Sequence, residues 1–81
     1  MRHARPQDLD RIAPLLEQVR ALGVLKEKKR GCFYLKARSF LHFHEDPGGM
    51  FADVGDERIR VDEPAGAAAV LARCAALKGS E

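Results

Sequence analysis

Between Gly31 and Asp62 apolar residues recur at alternate positions, and turn-forming residues interrupt them where a four-stranded antiparallel meander needs them. Phe33 and Leu35, Leu41 and Phe43, Ala52 and Val54, and Ile59 and Val61 make four short segments whose apolar members must share one face. That requirement sets the register, because a one-residue slip turns every side chain of a strand to the other face. A three-residue loop at Lys36-Ala37-Arg38 puts Phe33 opposite Leu41 and Tyr34 opposite Phe40, whereas a two-residue loop would put Phe33 opposite His42. Asp46-Pro47-Gly48-Gly49 joins a side chain that caps its own turn, a residue of preset φ and two permissive glycines. As a two- or four-residue loop it places Phe43 opposite Ala52 and His42 opposite Asp53. A turn at Asp56-Glu57 then sets Val54 against Ile59 and Asp53 against Arg60. The predicted meander therefore carries one row across its outer face: Cys32, His42, Asp53 and Arg60.

Helices are expected on both sides of the meander. Ile12, Leu15, Leu16, Val19 and Leu22 follow an amphipathic stripe from about Asp10 to Leu22, with Asp8 or Asp10 as N-cap, Pro14 in the first turn and Gly23 as the stop. A second helix is expected to start with Asp62 as N-cap, Glu63 and Pro64 in its first turn, and to run to Lys78 and stop at Gly79. Its stripe of Val70, Leu71, Cys74 and Leu77 is padded with alanines suited to close approach to a sheet. The fold class is α+β, in the order α-β-β-β-β-α, spanning residues 1–81 as one small domain. A hydrophobic share of 46% beside 32% charged residues excludes a disordered chain. The N-terminal residues Met1 to Pro6 lack an apolar signal region, and no segment is long enough to span a bilayer, so a cytoplasmic location with reduced cysteines is expected.

Three binding chemistries can be read on this frame. A net charge of +2 is too small to imply a nucleic-acid partner by itself, but Lys26, Lys28, Lys29 and Arg30 crowd the link before the first strand. Arg58 and Arg60 could extend that run onto the sheet, where Tyr34, Phe40 and Phe51 offer rings for stacking bases. The pair His42-x-His44 projects from one strand face, and Cys32 and Asp53 add the thiolate and carboxylate of a tetrahedral zinc set, with Asp46 as a further oxygen ligand. Paired Cys-x-x-Cys knuckles are absent from the sequence. Cys32, His42 and Asp53 also have the order of a nucleophile, base and orienting carboxylate, yet no glycine-rich loop is present to build an oxyanion hole. Finally, an outer face bearing Tyr34, Phe40 and Phe51, rimmed by Arg58, Arg60 and Asp53, suits a protein partner or self-association if both helices cover the other face. One helix on each face would instead make those aromatics core.

The segment Lys26 to Tyr34, followed by Ser39-Phe40-Leu41-His42-Phe43-His44-Glu45-Asp46-Pro47-Gly48-Gly49-Met50-Phe51-Ala52-Asp53-Val54, resembles the central signature of a family of short bacterial proteins with an FLHFHEDP-type motif. The resemblance implies a bacterial, cytoplasmic, single-domain protein and brings no activity, cofactor or catalytic residue. A looser likeness, of architecture only, is to small helix–meander–helix proteins of the YjbR and frataxin type. The expectation taken forward is a small module that binds through the outer face of its sheet, by a protein partner or homodimer, with nucleic acid or a His/Cys metal site as alternatives.

Overall fold

The computed structural model describes residues 2–80. The chain is α+β, with helices before and after an antiparallel sheet, as the alternation required. The elements are β1 (Arg2–His3), α1 (Pro6–Arg11), α2 (Ala13–Leu22), β2 (Lys26–Lys29), β3 (Cys32–Leu35), β4 (Arg38–Asp46), β5 (Gly49–Val54), β6 (Glu57–Arg60) and α3 (Pro64–Ala76), closed by a 3-10 turn at Leu77–Ser80. The sheet runs β2-β3-β4-β5-β6, and β1 pairs with β4 where β3 has ended. It has five strands in its main path instead of the four expected, plus the two-residue β1.

The additional main-path strand is β2, in the segment whose sequence suggests only a basic link. Its residues Lys-Glu-Lys-Lys carry no apolar alternation because it is an edge strand, and lysines on an edge deter pairing with another chain. Glu27 is the inward-facing member, paired with the buried Phe33. There it accepts hydrogen bonds from Arg20 Nε at 2.6 Å and Nη2 at 3.0 Å, and from the Gly31 amide at 2.9 Å.

Strand pairing reproduces part of the expected register. Phe33 faces Leu41, His42 faces Asp53 and Phe43 faces Ala52. The first hairpin gets there differently: Leu35 pairs with Arg38 across the two-residue turn Lys36-Ala37, and Tyr34 faces Ser39 instead of Phe40. Phe40 is the extra residue of a bulge, which restores Phe33 to Leu41. In the last hairpin the turn is Gly55-Asp56, so Asp53 faces Arg58 and Val54 faces Glu57; the expected partners Arg60 and Ile59 lie two residues further along. Gly55, at φ 61°, holds the first central position that a tight two-residue hairpin gives to glycine. A shift of two preserves the face, so Arg58 takes the place in the outer row that was expected for Arg60.

The first helical region starts earlier than Asp10. Pro6 opens α1, and Asp8 does not cap from the N-cap position but reaches back to accept from the Arg5 amide at 3.0 Å. Pro14 cannot donate to a preceding turn, and the helix breaks at Ile12 so that this proline falls at the start of α2. Gly23 ends α2 in the left-handed region, as expected. At α3 the N-cap is Glu63, because Asp62 is engaged by Arg60 Nε at 2.7 Å. The helix proper ends at Ala76, short of Lys78.

Both helical regions pack on the same sheet face. Leu9, Ile12, Leu15, Leu16, Val19, Val70 and Cys74 form one buried cluster with Phe33, Leu41, Phe43, Met50, Ala52, Val54 and Val61. Met50 is fully buried there although the sequence reading did not assign it to the core. The alternate residues Cys32, Tyr34, His42, His44, Phe51 and Asp53 are half-buried on the opposite face. Gly66 sets how closely α3 approaches, since an added Cβ would fall on the carbonyl oxygen of Arg60.

Two stability measurements check this packing. Phe43→Ala should cost about 3–5 kcal/mol, and Glu57→Ala, which removes only an exposed pair with Arg73, should leave stability almost unchanged. Gly66→Ala ought to stabilise an ordinary helix by up to about 1 kcal/mol, yet here urea denaturation should give the opposite sign. A neutral or stabilised Gly66→Ala protein would show that α3 does not lie against the β6 backbone.

Candidate metal centre

The chain contains three histidines, and all three gather on the outer face. His42 and His44 alternate along β4 and therefore project together. His3 arrives on β1, whose pairing sets it directly opposite His44. One potential ligand atom from each imidazole lies within 4.8 Å of those of the other two. Ring centroids are 4.7 Å apart for His42 and His44, 5.2 Å for His3 and His44, and 6.0 Å for His3 and His42. Sequence reading had no way to include His3, because the two-residue strand that carries it has no periodicity; only its residue type was a signal.

Asp53 organises the row. Its carboxylate accepts from Arg58 Nε at 2.8 Å and Nη2 at 3.2 Å, and from His44 Nε2 at 2.7 Å. The Arg58 guanidinium, with His44 adding to it, holds the Asp53 carboxyl below its ordinary value of 3.8 against the opposing effect of burial. Because a carboxylate only accepts, His44 must donate from Nε2, and its neutral tautomer keeps the Nδ1 lone pair free. His42 differs: its Nε2 stands 3.8 Å from Asp53, and its Nδ1 is buried with no hydrogen-bond partner among the described residues. An unmet buried polar atom costs on the order of 1–3 kcal/mol. Burial lowers the His42 pKa below its ordinary 6.5, and nearby His44, His3 and Arg58 act in the same direction against Asp53. The imidazole is thus neutral near pH 7, the form that binds a metal ion.

Three imidazoles gathered in this way could hold zinc, copper, nickel or iron, with a coordination position left open. Nitrogens around a tetrahedral zinc at about 2.0–2.1 Å stand roughly 3.3 Å apart, so ligand atoms within 4.8 Å of one another need up to about 1.5 Å of closure. His3 is exposed and carried on a short strand, so it has room to move. Asp53 fits the carboxylate that orients a ligating histidine through its other nitrogen. A depression of about 370 Å³ lined by His42, Asp53, Gly55, Asp56, Glu57 and Arg58 borders the cluster from the β5–β6 turn.

The other expected site residues are distributed as follows. Cys32 is outside the histidine group and lines a small cleft with His3, Ala4, Leu9 and Phe43. Neither cysteine is in a disulfide, and burial raises the Cys74 thiol to about 11. Tyr34 lies under Lys28, whose Nζ is 4.7 Å from the ring centroid. Phe40 packs at the margin of the core, and Phe51 sits between His44 and Arg60. Arg30 binds Asp10 at 2.7 Å and the Pro6 carbonyl at 3.3 Å, Arg60 binds Asp62 and the Gly48 carbonyl, and Lys29 is exposed. No helix among the described residues is long and apolar enough to cross a membrane.

The two shifted groups give a pH dependence of one sign. His42 and Asp53 both have folded values below their unfolded ones, so their contributions are complete above the unfolded values and are lost as pH falls through the folded ones. Metal-free protein should lose stability below about pH 6.5, and again below about pH 4. His42→Phe should flatten the upper part of the curve and Asp53→Asn the lower part; thermal melts from pH 8 to 3 that keep both steps in both variants would contradict the assignment. Comparison with known protein families, curated proteins and solved structures finds no match to this chain.

Proposed function

We propose that this protein is a metal-binding module that holds one divalent transition-metal ion on the open face of its sheet, through His3, His42 and His44. The observation that carries the reading is that all three imidazoles lie within reach of one ion while the buried Nδ1 of His42 has no other partner among the described residues. Asp53 holds His44 in the ligating tautomer, and Arg58 keeps that carboxylate ionised and fixed. His42 and His44 retain the metal role expected from their spacing, His3 joins them, and Asp53 moves to the outer shell. Cys32 is not needed as a ligand.

The same geometry ranks the other two readings below this one. Stacking and phosphate binding need uncommitted cations, but Arg30, Arg58 and Arg60 each bind a carboxylate and Lys28 lies on Tyr34. Protein docking or self-association favours a continuous apolar patch. Here the His42–Asp53 row separates Phe51 from Tyr34 and Phe40.

Calorimetric titration of tag-free protein with Zn(II) or Ni(II) tests the reading. One equivalent should bind and raise the melting temperature. His42→Ala or His44→Ala should weaken binding by more than about 100-fold, and Asp53→Asn by about 10–100-fold, as expected for an outer-shell partner. Absence of binding at pH 7.5, or affinity indifferent to both histidine variants, would overturn it.

A further inference from the structure

β1 occupies a particular place in the sheet. Strand β4 extends beyond the end of β3, and β1 fills the stretch of β4 edge left open there, pairing Arg2 with Glu45 and His3 with His44. Among the described residues β1 is two residues long, one further hydrogen bond runs from the Ala4 amide to the Phe43 carbonyl at 3.1 Å, and Ala4 packs at the margin of the core. The chain enters the core proper in α1 and just after it, where Leu9 and Ile12 are buried and Leu9 lies against Gly31. Residues 2–5 thus form a strap hinged at the start of α1. Its seam with the sheet is incompletely filled, since a cleft of about 140 Å³ runs between His3, Ala4 and Leu9 on one side and Lys29–Cys32 with Phe43 on the other.

The histidines divide along the same line. His42 and His44 belong to the central strand β4, held on its other side by the ladder to β5, whereas His3 belongs to the strap. With the strap lifted the sheet offers two imidazoles, and with the strap docked it offers three. A ligand shifts a conformational equilibrium by the ratio of its affinities for the two states, and a third nitrogen ligand supplies that ratio. We infer that the bound ion is a latch: metal occupancy fastens residues 2–5 over the edge of β4, and loss of the ion frees the strap and uncovers that edge. The inference rests on the metal-binding reading and adds its conformational consequence.

Hydrogen exchange at the Ala4 amide, measured by NMR on tag-free protein with and without saturating Zn(II), separates the two. The latch predicts exchange at Ala4 slowed by about tenfold or more with zinc. His3→Ala, a change at an exposed position, should leave the fold intact, bind zinc more weakly and show no zinc-dependent slowing at Ala4. If zinc binds in a manner dependent on His42 and His44 while Ala4 exchange stays the same, or if His3→Ala keeps the slowing, the latch is overturned and the metal centre stands. If zinc does not bind, both are overturned.

Discussion

The β4–β5 ladder is the constraint on which the remaining structure depends. Its unbroken register from Leu41↔Val54 to Asp46↔Gly49 is closed by a two-residue turn in which the Gly48 amide bonds to the Asp46 side chain at 2.7 Å. That register sends Leu41, Phe43, Met50, Ala52 and Val54 to the helices and His42, His44 and Asp53 to the open face. A slip of one residue would bury two imidazoles and a carboxylate beneath α2 and α3, at a cost of several kcal/mol in unpaired polar groups. The separation of core from site is therefore one decision, made by one turn.

Around this ladder several arginines are arranged in local pairs with carboxylates. Arg20 meets Glu17 and Glu27, Arg58 meets Asp53, Arg60 meets Asp62 and Arg73 meets Glu57. Exposed pairs of this kind add little to stability. Their consequence is chemical: Arg58 and Arg60, like Arg30 with Asp10, are engaged by carboxylates, and the outer face has a polar centre of imidazoles and one carboxylate. Within that centre only His42 has a buried nitrogen without a hydrogen-bond partner among the described residues.

The two ends of the chain serve the sheet in different ways. The C-terminal helix α3 approaches it closely, with Gly66 against the Arg60 carbonyl and Val70 and Cys74 fully buried. The N-terminal strap meets it through a two-residue strand, with a cleft of about 140 Å³ beside it. The proposed ion site would draw one ligand from this segment and two from the central strand, and so would connect occupancy to local order.

The α+β class, both terminal helical regions, the inward set Phe33, Leu41, Phe43, Ala52 and Val54, and the outward pair His42 and Asp53 were legible from alternation and turn chemistry alone. These depend on local rules of period two and period 3.6 that a single sequence carries. Edge strand β2 was not legible, because an edge with charged side chains shows no apolar period. Turn lengths were misplaced by one or two residues at Lys36-Ala37 and Gly55-Asp56, because a bulge or a shift of two leaves the faces unchanged and so leaves no trace in the pattern. Only the tertiary structure put both helices on one face and exchanged Arg60 for Arg58 beside Asp53. It alone brought His3 to His42 and His44, since a contact between a two-residue strand and a strand so distant in sequence is set by the path of the whole chain.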